Sequence, residues 1–102
     1  NHRVEFSDLP WDAPARGMKV KSVVRGGKKL RLVEFTREFV ETDWCTKGHV
    51  GLVLDGEIAI NINGVVQNFR AGDGLFIPRG EQNRHKHHDT LKPATLFLVE
   101  DA

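Results

Sequence analysis

The sequence predicts an all-β, antiparallel, single-domain protein, and three observations carry that prediction. Ten glycines and four prolines recur at short intervals along 102 residues, so most segments between them are too short for a typical helix. Two of the intervening dipeptides, Asp55-Gly56 and Asn63-Gly64, are the strongest short hairpin signals, because both central residues of a type I′ turn need positive φ. A chain of 11.5 kDa has room for one core.

The elements follow in order. Residues 1–17, with Leu9-Pro10-Trp11 and Pro14, form an irregular N-terminal arm anchored by Trp11. Residues 18–102 form the barrel domain. Its strands run from Met18 to Arg25, Lys28 to Thr36, His49 to Leu54, Glu57 to Ile62, Val65 to Phe69, Gly74 to Ile77, Gln82 to His88 and Ala94 to Glu100. Turns fall at Gly26-Gly27, at the two hairpin dipeptides, at Ala71-Gly72-Asp73 and at Pro78-Arg79-Gly80. The chain opens on Asn1 in place of a methionine, so His2 is given no functional weight.

Hydrophobic residues at 39% and charged residues at 28% exclude a wholly disordered chain. No apolar run nears the ~20 residues that span a bilayer, and no basic-then-apolar leader opens the chain. A cytoplasmic protein with no membrane partner is expected. The single cysteine, Cys45, has no internal disulfide partner, which fits a reducing compartment. A net charge of +1 gives the chain no preference for nucleic acid, which is not an expected partner. Charge is uneven, however: residues 16–31 carry seven Lys or Arg and no acid. This basic hairpin reads as an edge whose lysines discourage aggregation, and as the candidate contact of a homodimer.

Hairpin register predicts which side chains share a face. A two-residue turn at Asp55-Gly56 would pair Val53 with Ile58, Gly51 with Ile60 and His49 with Ile62. The turn at Asn63-Gly64 pairs Ile62 with Val65, Ile60 with Gln67 and Ile58 with Phe69. One face then carries His49 and Gln67 among Val53, Ile58, Ile60 and Phe69. A polar group in such a cavity costs a few kcal/mol without a partner. A metal, a ligand or another side chain would supply one.

Two segments resemble the motifs of the cupin family. Gly72-Asp73-Gly74-Leu75-Phe76-Ile77-Pro78-Arg79-Gly80-Glu81-Gln82-Asn83 resembles the second motif, G-x5-P-x-G-x2-H-x3-N, with its glycines and proline at Gly72, Pro78 and Gly80. The stretch from Asp43 to Gly56 resembles the first motif, G-x5-H-x-H-x3,4-E-x6-G, closing at Gly56. The resemblance covers roughly Glu34 to Glu100 and implies an antiparallel cupin β-barrel or jelly-roll sandwich. It further implies a pocket at one barrel end, frequent dimers and, in most members, a divalent ion held by three histidines and a glutamate. None of those four ligands is kept by identity. Asp43 and Cys45 stand at the first-motif histidine positions, His49 at the glutamate and Asn83 at the second-motif histidine. His87 stands at the later asparagine, and strand alternation puts His85 on the face of Asn83.

The residues leave two readings of that pocket. In one, Asp43, Cys45, His49 and His85 are ligands of mixed S, N and O type to a divalent transition metal, zinc, iron or nickel, with Asn83 an alternative to Asp43. In the other the metal ligands are lost: His49 is a core histidine hydrogen-bonded to Gln67, Asn83 or a water, or, in a metal-free binding module, Cys45, His49, Gln67, Asn83 and His85 hydrogen-bond a small metabolite. A small-molecule ligand is the expected partner, and Gln67 and Asn83 are the candidate ligand-binding residues. Cys45 reads either as an activated thiolate or as a small buried hydrophobe, and Trp44 as a stacking or a packing ring. Arg31 and Glu34 are a candidate pair. A one-residue slip at Thr46-Lys47-Gly48 would turn Thr42 and Trp44 inward in place of Asp43 and Cys45. No reaction is specified, since no Ser-His-Asp arrangement, phosphate loop or dinucleotide fingerprint is present.

Overall fold

Short alternating strands joined by tight turns bury one face only by packing against another layer. The chain does so with seven strands, as a computed structural model of residues 1–102 shows. They are β1 (Asp12–Ala15), β2 (Met18–Arg25), β3 (Lys28–Phe35), β4 (His49–Ile62), β5 (Val65–Arg70), β6 (Gly74–Ile77) and β7 (His85–Asp101). All pairings are antiparallel, in the order β1-β2-β3-β7-β4-β5 with β6 on the other side of β4. Two 3₁₀ turns, Phe6–Asp8 and Glu81–Asn83, are the only helical segments, and no helix is long and apolar enough to cross a membrane.

The turn at Asn63-Gly64 forms as expected, with φ of 49° and 94° and the pairs Ile62–Val65, Ile60–Gln67 and Ile58–Phe69. The Asp55-Gly56 hairpin does not form. Strand β4 runs unbroken for 14 residues and pairs along its length with the 17-residue β7. Ladder irregularities between Val53 and Ile58 mark the bend. Before it, β4 lies between β6 and the 96–99 part of β7; after it, between β5 and the 85–90 part. The two long strands thus serve both layers of the sandwich. Extra residues at the bend shift the side-chain alternation as a two-residue turn would. His49, Gly51 and Val53 therefore still face the interior with Ile58 and Ile60.

Cross-strand rows fix the inner face of the larger layer. Val20, Val33, Leu96 and Val53 form one row and Ser22, Arg31, Leu98, Gly51 and Leu75 the next. One step further lie Lys29, Glu100, His49 and Ile77. Val33, Val53, Ile58 and Leu96 are at most 2% exposed and make the centre of the core.

The outer face of that layer is apolar as well. Phe76, Val50, Val99 and Leu30 form one row, with Phe76 78% exposed. In the next, Phe97 is met edge-on by Phe6 of the arm at 6.2 Å. The arm is pinned where the Lys21 ammonium donates to the Phe6 carbonyl at 2.7 Å and lies 4.7 Å from the Trp11 ring. The arm is not wholly irregular: its β1 pairs with β2. That pairing corrects the expectation of an exposed hairpin edge only in part: β1 covers β2 at Met18–Val20 and β3 lies between β2 and β7, while the 21–25 part of β2 has no strand on its outer side.

Candidate functional site

A cavity of about 300 Å³ opens between the layers at the end that carries His49. Three elements bring its donors together. β4 starts with His49, β7 starts with His85, and an isolated bridge sets Cys45 opposite His85 through Cys45 N–H to His85 O (2.8 Å) and His85 N–H to Cys45 O (2.9 Å). Opposed residues of an antiparallel bridge point to the same side, so the thiol and the imidazole face the same space. The Cys45 Sγ and one ring nitrogen from each histidine lie within 4.8 Å of one another. The two rings meet edge to face at 4.7 Å.

A hydrogen bond orients the His85 ring, and a carboxylate stands against the His49 ring. His85 Nδ1 lies 3.0 Å from the Asn83 carbonyl oxygen; a carbonyl only accepts, so Nδ1 carries the proton and Nε2 is a lone pair. That Nε2 is buried and has no partner. Burial holds the His85 pKa below the ordinary histidine value, with the His49 ring acting in the same direction against the Asn83 carbonyl. His49 Nδ1 lies 2.5 Å from Glu100 Oε2, a close contact that is not aligned as a hydrogen bond. Glu100 in turn holds Arg31, whose Nη1 is 3.1 and 3.2 Å from its two oxygens. Burial works to raise the Glu100 pKa, but His49 and the Arg31 charge outweigh it and leave the carboxyl below its usual value.

Elsewhere in the cavity wall, His87 packs tilted against Phe35 and edge to face with Phe39, at 4.6 and 5.0 Å between ring centroids. Its Nε2 meets Thr90 Oγ1 at 2.8 Å, and its backbone N–H donates to Glu41 at 2.7 Å. Burial pushes its pKa down to about 4, against the pull of Asp89. The unfolded chain therefore binds more protons between about pH 6.5 and 4. The buried neutral ring contributes its full stability above pH 6.5, and that contribution is lost as pH falls toward 4. Urea unfolding of wild type between pH 7 and 4 is expected to show about 3 kcal/mol of loss from this group. A His87→Phe variant, whose ring does not titrate, will lack that part of the slope; equal slopes in the two proteins would refute the assignment.

Of the expected ligands, the structure brings Cys45, His49 and His85 together and leaves Asp43 exposed, outside the cavity. Residues 36–44 form no strand, so alternation does not carry back from Cys45 to Asp43, and Glu41 lines the cavity instead. The one-residue slip does not occur. Trp44 lies outside the cavity lining, with Arg84 and Lys86 each 4.4 Å from its ring. Gln67 pairs with Ile60 as expected yet is exposed, although Phe69, two residues further on the same face of β5, is buried. Asn83 is absent from the cavity wall and acts through its backbone carbonyl. Arg31 pairs with Glu100 instead of Glu34, since β3 alternation sends Arg31 inward. Glu41, Glu100, Lys29 and Lys47 also line the cavity and were not singled out by sequence.

Comparison with solved structures agrees with this architecture. An RmlC-like cupin from Shewanella frigidimarina superposes with a TM-score of 0.80 at 16% identity, over 99% of this chain and 90% of its own. KdgF from a Halomonas species gives 0.76 at 17% identity, covering 93% of this chain and 89% of that one. The polyketide cyclase RemF from Streptomyces resistomycificus gives 0.77 at 18% identity, over 99% and 79%. No family model matches the sequence, and no curated protein matches it either. The chain has the cupin jelly-roll fold, and within it carries a Cys/His/His group able to hold a metal.

Proposed function

We propose that the protein is a small-ligand-binding cupin whose cavity holds a divalent transition metal through Cys45, His49 and His85. The observation that carries this reading is the buried, unpartnered lone pair of His85 Nε2 beside a thiol and a second imidazole. Leaving such a group without a partner costs about 1–3 kcal/mol, and a cation is the partner that three convergent Lewis bases call for. The donor set fits zinc or iron: bonds of about 2.0–2.3 Å place tetrahedral donors about 3.5 Å apart, within reach of modest side-chain rotation. The second shell fits as well. Metal-ligating histidines generally give their other ring nitrogen to a carboxylate or a backbone carbonyl, the positions that Glu100 and the Asn83 carbonyl occupy here.

A metal bound there acts as a Lewis acid toward a small oxygenated ligand. The chain's own contribution is positional: Arg31 fixes Glu100, Glu100 fixes the His49 ring, and Asn83 fixes the His85 tautomer. Without a metal, the same cavity would bind a small metabolite through His49 and His85, the alternative reading.

Elemental analysis of tag-free protein purified without added metal or chelator separates the two. Near-stoichiometric transition metal is expected in wild type, with at least a tenfold loss of metal occupancy in His49→Ala and in Cys45→Ala. A saturating metal at 100 times its dissociation constant is expected to add about 2.7 kcal/mol of stability to the apo protein. Metal-free preparations whose melting temperature ignores zinc, iron and nickel would leave only the metal-free reading.

A further inference from the structure

We infer that the ligand of this cavity is an organic monocarboxylate with an apolar tail, and that Lys29 and Lys47 bind its carboxylate. The inference rests on the cavity being a ligand site, and not on the metal. Charge bookkeeping points to an anion. Three cationic side chains, Lys29, Arg31 and Lys47, line the cavity with two carboxylates, Glu41 and Glu100. Arg31 is consumed by Glu100, and Glu41 is held at the backbone N–H of His87. Neither Lys29 nor Lys47 takes part in any of the ion pairs. The lining therefore carries one net positive charge, and neither lysine has a carboxylate within ion-pair distance.

Lys29 is not an ordinary surface lysine, whereas Lys47 is an exposed residue at the cavity rim. Lys29 shares the inward-facing row of Glu100 and His49, and it is only partly exposed. A lysine whose stem lies on an inner sheet face and whose ammonium reaches a cavity mouth marks a place for an anion. Lys47 lies two residues before His49 and borders the same mouth.

The remainder of the wall sets the rest of the ligand. Ten of the 18 lining residues are hydrophobic; the cationic side chains sit at the His49 end, while β3 continues from Lys29 and Arg31 to Val33 and Phe35, beside which the neutral His87 ring and the hydrogen-bonded Glu41 are the polar groups. An inorganic phosphate dianion would match neither the single excess charge nor the apolar wall. A cavity of about 300 Å³ equals roughly ten water molecules at about 30 Å³ each, enough for a six-carbon acid.

The test uses calorimetric titration of hexanoate, its neutral analogue hexanamide, and inorganic phosphate into the full chain, with metal content measured on the same samples. Hexanoate is expected to bind at least tenfold more tightly than hexanamide, and phosphate no better than hexanamide. In the Lys29→Met/Lys47→Met variant, which keeps both stems, hexanoate affinity is expected to fall to that of hexanamide, with folding and metal content unchanged. Equal affinities for acid and amide in wild type would overturn the carboxylate assignment while leaving a ligand cavity. Preferential binding of phosphate would overturn the apolar tail. No binding of either organic probe would overturn the inference outright, and the metal measurement would then stand or fall by itself. Retention of the acid preference in the double variant would remove the two lysines from the site.

Discussion

Replacing Arg31 by methionine is expected to remove about 3 kcal/mol of stability, one of the two largest effects of any single substitution considered. The Arg31 and Glu100 side chains are 18% and 13% exposed, so the pair is nearly dry. Breaking a buried pair by deleting one partner typically costs 3–5 kcal/mol, because the other charge stays behind; the residual exposure places this case at the lower end. Methionine keeps the apolar stem and leaves Glu100 with His49 alone. For a domain of this size the loss corresponds to a fall in melting temperature of roughly 10 °C or more. Adding Glu100→Gln is expected to recover much of it, since the stranded charge is then gone. An additive double variant, as destabilised as the two single ones summed, would show that the pair does not act as a unit.

The pH dependence of the same pair follows from its direction. Glu100 is held below its usual carboxyl value in the fold, so its contribution is complete above the unfolded pKa and is lost as pH falls through the folded one. Arg31→Met removes part of what holds it down, and less of the acid limb of the stability profile should then belong to this residue.

Gly56→Ala is expected to be the more severe change, costing about 3 kcal/mol or more and leaving little folded protein. Gly56 has φ of 80°, and a Cβ there would stand 2.1 Å from the Pro93 carbonyl oxygen and 2.6 Å from Ala94 Cα. Both obstacles are backbone of β7, the strand that β4 must pair with on either side of the bend. Gly64 is the control: its φ is 94° but nothing lies within 4 Å of a Cβ, so Gly64→Ala should cost only the conformational strain of about 1–2 kcal/mol. Chemical denaturation of the two variants measures the difference. Similar midpoints would mean that the bend relaxes and that the close approach to Pro93 has no structural weight.

The fold was readable in the sequence to the extent that local turn chemistry and alternation decided it. β2, β5 and β6 begin where expected, and the inward face of β4 was correctly identified through a hairpin that does not exist. Asp-Gly is as compatible with a bulge at positive φ as with a type I′ turn; only the presence of β7 alongside β4 decides between them, and that is a non-local fact. The same holds for the break expected between His88 and Ala94, where Pro93 sits beside the bend instead of ending a strand. The site was readable in part for a related reason. Cys45, His49 and His85 carry donor types that stand out anywhere, whereas Lys29 and the inward facing of Arg31 were hidden by β3, whose outer positions Leu30 and Leu32 look more like a core face than its inner positions do. Glu100 is an ordinary acid until β3 and β4 flank it. Gln67 failed for the opposite reason: its register was right, but register alone does not say how far the opposing layer reaches.

The spine shared by both layers also orders events during synthesis. β7 lies between β3 and β4 and donates His85 and Glu100 to the cavity, yet β1 to β6 all leave the ribosome before it. Until it arrives, β3 and β4 have no common neighbour, β4 cannot settle its bend, and Cys45 has no bridge partner. The emerging chain therefore exposes unpaired strand edges for as long as synthesis takes, a slow regime for a topology dominated by distant pairings. Completion of one late strand then closes barrel and pocket together.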